Sequence, residues 1–293
     1  MAMPVAARHL VITLLLLLPA LAGRRLYPVH ADLSVIDAPS RQTVSRVFPL
    51  VSAHRGDSRL APENTLASFS AAIAAGADFI ELDVRTTSDG HQVCLHDPSL
   101  KRTTGFDALV KDVPFEKVRT LFATYRSGLS REKVPSLEEV CQLAARQNKT
   151  GNHPIALYVD CKDIRVSQVI QIMTRYSLLD SAVFYGNVST LTDIRELAPS
   201  ARLLPAYPGE EREDEVIAAL DPFAFDVAWP VVTPGLVKRC HAKGVKVFCD
   251  LLDEYDTPEN YSKAIAVGVD LIQTDNITAV NDCITEFEKH RSQ

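Results

Sequence analysis

Eight short apolar runs alternate with helix-length segments along most of this 293-residue chain. Strands that are apolar almost throughout, each followed by a helix, are typical of a parallel sheet covered on both faces. Eight such units predict an α/β fold, a (β/α)8 barrel formed by a single domain. The predicted strands lie at 47–53, 78–84, 155–161, 182–185, 202–206, 225–229, 245–251 and 270–274.

The connection after the second run is longer and less regular than the others. A turn at Thr86–Gly90 and a short strand at Gln92–Leu95 predict an insertion there. Ser136, with Glu139 three positions later, predicts the start of the helix that ends the insertion. A doubly wound α/β sheet is the alternative architecture, but no glycine-rich motif follows the first run.

The first 45 residues differ from the rest of the chain. A basic start, the apolar run Leu10–Leu18 and the small residues at 20–22 are typical of a secretory signal peptide. We therefore expect a signal peptide at 1–22, a flexible lead at 23–45 and the barrel domain at 46–293. Export to the periplasm or the exterior follows. An uncleaved membrane anchor is the alternative, although a span needs ~20 apolar residues.

The net charge and the positions of the cysteines indicate which ligands and which cross-links to expect. The net charge is −6 and no basic stripe is evident, which disfavours nucleic acid. The six cysteines fall in predicted strands and helices without a zinc-binding spacing, so we expect mostly free thiols, with one disulfide left open.

The ionisable residues that suggest chemistry follow the predicted strands. His54 and Arg55 follow the first strand, and Glu81 and Asp83 lie two apart on the second, so both carboxylates leave the same face. Buried like charges are costly unless a cation compensates them. A divalent metal at Glu81 and Asp83, with His54 and His96 for proton transfer, is the interpretation we favour.

The third strand completes this set. Asp160 and Lys162 again lie two apart at the carboxyl end, where barrel enzymes place their chemistry. Three carboxylates suit a hard cation, Mg²⁺ or Ca²⁺. Arg55 and Lys162 offer positive charge for a phosphate. Asp97 is interpreted as a cap of the turn at Pro98.

Five short motifs follow one another in this order: Ala53-His54-Arg55-Gly56, Pro62-Glu63-Asn64-Thr65, Glu81-Leu82-Asp83-Val84, Asp89-Gly90 and His96-Asp97. Together they resemble the glycerophosphodiester phosphodiesterase family, within the phospholipase C-like phosphodiesterases. The resemblance is dense from Val51 to Gly105 and thinner up to Asp275. It implies a TIM barrel, a divalent metal and hydrolysis of a small glycerophosphodiester to an alcohol and glycerol phosphate.

By position, the resemblance implies roles for individual residues. The implied roles are acid/base catalysis for His54 and His96, metal binding for Glu81 and Asp83, phosphate binding for Arg55, and support of the site for Glu63 and Asn64.

Two departures from the family pattern stand out. Asp160 replaces the usual glutamate, as in the related sphingomyelinase D-type phospholipases. At the seventh strand Asp250 begins a run that lacks the expected aromatic residue. Asp250, with Trp229 from the neighbouring strand, is therefore our candidate for the substrate pocket, where an acid would favour polyol hydroxyls or a cationic head group.

Other functions stay open at this stage. One is a phospholipase D-like or sphingomyelinase D-like enzyme on lysolipids or sphingolipids that yields a cyclic phosphate. It would need a transient lipid-surface contact, for which the loop with Phe106, Leu109 and Phe122 is the candidate. Another is a barrel that only binds. A glycosidase fits poorly, because Glu81 and Asp83 are too close to flank a glycosidic bond.

Overall fold

The computed structural model describes residues 49–291, apart from 127 and 152. The signal peptide expected at 1–22 and the lead expected at 23–45 lie outside the described residues, so both stay predictions. None of the helices in the described part of the chain is long and apolar enough to cross a membrane.

Strands and helices alternate in the predicted order. The strands are β1 (Leu50–Ala53), β2 (Phe79–Thr86), β3 (Gln92–Cys94), β4 (Phe122–Tyr125), β5 (Gly128–Lys133), β6 (Ala156–Asp163), β7 (Val183–Tyr185), β8 (Arg202–Leu204), β9 (Ala224–Ala228), β10 (Lys246–Asp250) and β11 (Leu271–Thr274). The helices are α1 (Leu66–Ala74), α2 (Lys101–Thr104), α3 (Phe115–Val118), α4 (Leu137–Thr150), α5 (Val166–Arg175), α6 (Val188–Leu197), α7 (Glu213–Leu220), α8 (Pro234–Ala242), α9 (Pro258–Val267) and α10 (Ile277–Arg291).

Eight of the strands form a nearly closed parallel barrel. Their order is β8-β7-β6-β2-β1-β11-β10-β9, and every neighbouring pair is parallel. The two ends of this sheet meet beyond β8, where the Asp226 N–H donates to the Pro205 carbonyl (3.0 Å) and the Tyr207 N–H donates to the Asp226 carbonyl (2.8 Å). The (β/α)8 prediction is therefore confirmed, and the doubly wound alternative is wrong.

Apolar side chains fill the barrel in a layer near its amino end. They pack edge to face in places, as Phe79 does against Phe248 with ring centroids 6.3 Å apart. A larger core lies between the sheet and the surrounding helices. The interior layer consists of Phe79, Tyr158, Val183, Leu204, Ala224, Phe248 and Leu271.

The insertion after β2 folds as predicted, with a small core of its own. β3 returns antiparallel to β2, and β4 and β5 form a separate hairpin. Ser136 caps α4, since its hydroxyl accepts from the Glu139 N–H and the Glu139 carboxylate accepts from the Ser136 N–H. The core of the insertion consists of Val93, Leu95, Leu100, Val110, Val113, Val118 and Val134.

All six cysteines are free thiols, so the disulfide left open by the sequence is not formed. Five of them are buried, as expected for cysteine used as a small apolar residue.

Candidate active site

A cavity of about 190 Å³ opens at the carboxyl ends of the barrel strands. Successive residues on a strand point to opposite faces, so residues two positions after the apolar interior layer also point into the barrel. On six strands that position carries a polar side chain that lines the cavity. These residues are Glu81, Asp160, Tyr185, Asp226, Asp250 and Gln273.

The first group of carboxylates, here called the acidic triad, consists of Glu81, Asp83 and Asp160. One oxygen from each lies within 4.8 Å of the others, close enough to bind one ion. Glu81 and Asp83 are buried, at 3% and 1% exposed. Burial, together with the neighbouring carboxylates, raises the pKa of Glu81 well above its usual value. The oxygen-only donor set and the concentrated negative charge fit a hard divalent cation.

Lys162 lies beside the triad, where the sequence placed it. Its Nζ is 2.5 Å from the Asp160 carboxylate and 3.2 Å from that of Asp83. Burial opposes the charge of Lys162, but these two carboxylates outweigh it and raise its pKa. Lys162 therefore stays charged next to the position where an ion would bind.

Arg55 and Asn64, both in the segment between β1 and α1, hold the triad in place. The Asn64 amide donates to the Asp83 carboxylate (2.7 Å), and its carbonyl accepts from the Asp83 N–H (3.1 Å). The Arg55 N–H donates to Glu81 (2.7 Å). Both residues have left-handed backbones, with φ of 56° for Arg55 and 55° for Asn64. This uncommon conformation in both residues brings a backbone donor and an amide onto the triad.

The Arg55 side chain lines the cavity and is only partly neutralised. Nη1 donates to Glu63 (3.2 Å), whereas Nε is buried, lies 3.4 Å from Asp83 and makes no hydrogen bond. A buried N–H without an acceptor is costly, and a phosphate oxygen would relieve that cost.

Each candidate catalytic histidine is paired with an aspartate through Nδ1. In His54 it lies 3.0 Å from Asp275, and in His96 it lies 2.8 Å from Asp97. The Arg85 guanidinium also donates twice to the His96 carbonyl (2.6 and 2.9 Å). A carboxylate on Nδ1 fixes the ring and leaves Nε2 for proton transfer.

Asp97 has a role that the sequence interpretation missed. Its carboxylate accepts from Arg102 Nε (2.6 Å), and Arg102 also donates twice to Glu63 (2.7 and 2.8 Å). Hydrogen bonding to Arg102 holds the pKa of Asp97 well below its usual value. Arg102 thus connects the partner of His96 with Glu63, which contacts Arg55. In place of the turn cap we had assigned, Asp97 positions His96.

A second group of carboxylates, here called the acidic pair, consists of Asp226 and Asp250. Tyr158 donates to Asp226 (3.3 Å), and the Gln273 amide donates to Asp250 (3.0 Å). Burial raises the pKa of Asp226, and Asp250 reinforces the shift. Burial likewise raises the pKa of Asp250, to about 6. The pair therefore keeps a proton well above the usual titration range of an aspartate.

Of the two residues expected in the substrate pocket, Asp250 lines the cavity and Trp229 does not. β9 ends at Ala228, and Trp229 begins a turn of 3₁₀ helix with Pro230. The indole is half-buried against the core between sheet and helices. The change of backbone direction at the strand end removes it from the cavity wall.

The residues at the site that were not singled out from the sequence include Tyr158, Tyr185, Asp226, Gln273 and Asp275. Tyr185, Asp226 and Gln273 each lie two positions after a residue of the interior layer, so strand periodicity could have found them. Asp275 follows the last strand directly and reaches His54 across 221 positions.

Comparisons with known proteins show the family to which the chain belongs. The sequence profile of the glycerophosphoryl diester phosphodiesterase family matches residues 54–279. A glycerophosphodiester phosphodiesterase of Caldanaerobacter subterraneus subsp. tengcongensis is 34% identical over 240 residues, which cover 78% of this chain and 94% of that protein. The human glycerophosphodiester phosphodiesterase 1 is 38% identical over 114 residues, 38% of this chain and 33% of that protein.

Solved structures show the same fold. A glycerophosphodiester phosphodiesterase from Agrobacterium tumefaciens superposes with a TM-score of 0.72 at 21% identity, over 80% of this chain and all of that one. A phosphodiesterase from Oleispira antarctica, solved with the product sn-glycerol-3-phosphate, gives 0.70 at 24% identity, over 81% of this chain and 97% of that one. Given the profile match and the Caldanaerobacter relative, this chain belongs to the glycerophosphoryl diester phosphodiesterase family.

Proposed function

We propose that this protein, a phosphodiester hydrolase by family, splits glycerophosphodiesters into an alcohol and glycerol phosphate with the help of a divalent cation. The observation that carries the proposal is one cavity in which the acidic triad lies beside two histidine–aspartate pairs. The Oleispira phosphodiesterase, solved with sn-glycerol-3-phosphate, supports the substrate class.

Glu81, Asp83 and Asp160 would hold the cation, and we propose Mg²⁺ or Ca²⁺ because every donor is a carboxylate oxygen. When bound, the ion supplies Lewis-acid polarisation of the phosphate. Arg55 and Lys162 complete the anion site. The free Nε of Arg55 and the charged Nζ of Lys162 would stabilise negative charge on the non-bridging oxygens.

His54 and His96 would move the protons. Each ring has an aspartate on Nδ1, so each can accept a proton on Nε2 as the imidazolium is stabilised, and can donate it back. One ring takes the proton of the attacking hydroxyl, and the other protonates the departing alcohol. Both rings present the same arrangement, so either can take either part.

The source of the attacking hydroxyl determines which of two products is formed. Water gives glycerol phosphate, whereas a neighbouring hydroxyl of the substrate gives a cyclic phosphate, the alternative raised by Asp160. Phosphorus NMR of the first product distinguishes them.

A barrel that binds substrate without catalysis is disfavoured, because both histidines and all three acids line one cavity. Export through residues 1–22 is retained as a proposal.

The test is choline release from glycerophosphocholine by the purified full chain. We expect EDTA to remove activity reversibly, and His54→Asn and His96→Asn each to lower kcat by about 10²–10⁴-fold with Tm unchanged. His91→Asn is the matched control. That histidine stacks on Phe115 and is not among the residues that line the cavity. Full activity in EDTA, or an active His96→Asn variant, would overturn the proposal.

A further inference from the structure

The exposed large apolar side chains are concentrated at the end of the barrel that carries the cavity. Eight are exposed in the described part of the chain, and seven of these lie in segments that follow the carboxyl ends of barrel strands, including the insertion after β2. The eighth, Leu197, ends α6 at the opposite end. The seven are Leu60, Leu109, Phe122, Leu129, Val188, Val231 and Tyr255.

Positive charge is concentrated in the same part of the molecule. Residues 117–133 contain five lysines and arginines and one acid, in a chain whose net charge is −6. Arg126, Arg131 and Lys133 on the β4–β5 hairpin are exposed, and none of them forms an ion pair with a described acidic residue. Arg126 lies over the ring of Tyr125 (5.0 Å), and Lys133 over that of Phe122 (5.6 Å).

Apolar and cationic side chains therefore alternate on one surface, which we call the hairpin face: Leu60, Phe122, Arg126, Leu129, Arg131 and Lys133. Leu60 joins the hairpin because the Tyr125 hydroxyl donates to the Arg59 carbonyl (2.5 Å), and because Leu60 and Arg126 line one surface groove. Such a mixture is typical of segments that lie in the interface of a membrane.

The hairpin face adjoins the wall of the cavity. The Thr124 hydroxyl on β4 donates to the Arg102 carbonyl (3.1 Å), and the Arg102 side chain contacts Asp97 and Glu63. A surface that holds the hairpin would therefore also lie beside the mouth.

The other side of the mouth carries the opposite charge. Asp253 and Glu254 follow β10, and Glu210 and Glu211 follow β8, all of them exposed. Negative charge there would keep that side away from an anionic surface, so contact is confined to the hairpin face.

From this distribution we propose that the hairpin face docks on anionic phospholipid bilayers and sets the mouth of the cavity at the lipid surface. The occupant follows from charge complementarity: cations without acidic partners meet anionic head groups, and Leu129 and Leu60 enter the boundary between head groups and acyl chains.

The experiment is cosedimentation of the full chain with vesicles of phosphatidylcholine alone or with roughly 30% phosphatidylglycerol, which gives the vesicle a negative surface potential. We expect binding only to the anionic vesicles, weakened by salt because exposed charges are screened. Arg126→Glu/Arg131→Glu/Lys133→Glu should lower the partition coefficient at least about 100-fold, at about fivefold per cation. Leu129→Glu should lower it at least about tenfold.

Matched variants test whether the location matters. Leu197→Glu changes an exposed leucine at the other end of the barrel, and Lys149→Glu/Lys238→Glu/Lys289→Glu changes the net charge equally on helices α4, α8 and α10. Both should bind like the wild type. Every variant keeps residues 1–48, so any contribution of Leu10–Leu18 to binding is common to all.

Vesicle binding is measured in the absence of substrate, so its result does not depend on the proposed catalytic activity. All variants should hydrolyse soluble glycerophosphocholine like the wild type. Equal loss of binding in the control triple variant would overturn the proposal. So would a wild type that ignores anionic vesicles. If Leu129→Glu instead dissolves a dimer in sedimentation velocity, the hairpin face is a contact between two copies of this chain.

Discussion

Two groups of carboxylates share one cavity, and the structure compensates them differently. The acidic triad has fixed cations beside it, with Lys162 at 2.5 Å from one carboxylate and Arg55 at 3.4 Å from another. The acidic pair receives hydrogen bonds from neutral donors, the Tyr158 hydroxyl and the Gln273 amide, and burial raises the pKa of both its members.

The different surroundings of the triad and the pair suit them to bind different groups. In the triad, Lys162 and Arg55 offset part of the effect of burial, which raises the pKa of Glu81 and of Asp160, and a bound metal would favour the ionised form of all three carboxylates. Carboxylates that face each other without a fixed cation share a proton, because two buried like charges repel. A shared proton gives the pair both a donor and an acceptor, which suits the hydroxyls of a polyol. We therefore propose that the triad binds the cation and that the pair binds hydroxyls of the substrate.

The largest expected effect comes from exchanging one carboxylate in each group for its amide. Glu81→Gln retains an oxygen for the Arg55 N–H but removes a charge from the triad. A metal contributes several kcal/mol to the transition state, so we expect activity to fall about 10³-fold. We also expect the variant to lose the rise in Tm that millimolar Mg²⁺ or Ca²⁺ gives the wild type by binding the native state.

Asp226→Asn is the counterpart in the acidic pair. It should keep the metal-dependent rise in Tm, because its carboxylate is not one of the three that could bind an ion together. Differential scanning fluorimetry with and without metal measures both variants. If Asp226→Asn loses the rise as completely as Glu81→Gln, the two groups form one site and the comparison is wrong.

A smaller effect is expected where the cation network extends beyond the cavity wall. Arg102 does not line the cavity, yet it makes four hydrogen bonds to Asp97 and Glu63. Arg102→Met leaves both carboxylates without this partner and loosens His96. Loss of an orienting partner typically costs 10–100-fold, so we expect kcat to fall by about that factor with little change in KM.

Lys101→Met is the matched control, from the same short helix. Among the described residues, the Lys101 ammonium pairs with Asp107 alone, on the surface, so kcat should stay at the wild-type value. Arg102→Lys should recover little, because an ammonium cannot bind two carboxylates with a planar fork. Equal kcat values for the two methionine variants would show that positioning through Arg102 does not matter.

Much of the fold, and the site residues that lie on the strands or in the motifs near β1, could be predicted from the sequence, because both depend on local pattern. Apolar runs set the strands, and a period of two carries Glu81, Asp160 and Asp250 into the barrel. Asn64 and Glu63 were assigned by resemblance, and the structure adds the contacts that explain them.

The remainder depends on contacts that no local pattern contains. Asp275 reaches His54 only because β1 and β11 are neighbours in the barrel. The sequence predicts a turn residue at Asp97, because its partner, Arg102, lies on a short helix that the apolar pattern does not indicate. Trp229 follows a strand in sequence, but a 3₁₀ turn places it against the core between sheet and helices. Contacts between distant residues and the direction of loops could thus not be predicted from the sequence.

The smallest expected effect concerns stability and tests the acidic pair alone. Burial raises the pKa of Asp250 from 3.8 to about 6, so the native state binds more protons than the unfolded state between these values. The free energy of unfolding therefore falls as the pH rises from about 4 to 6, by on the order of 3 kcal/mol at most. Asp250→Asn cannot titrate and escapes this loss.

We accordingly expect Asp250→Asn to be more stable than the wild type at pH 7.5 and to lose that advantage near pH 4, as measured by urea unfolding in EDTA. Asp253→Asn, an exposed neighbour, should match the wild type at both values. A gap of the same size at both pH values would mean that Asp250 is ionised throughout. The pair would then be a second anionic site like the triad, and the proton shared by Asp226 and Asp250 would have no part in binding a hydroxyl.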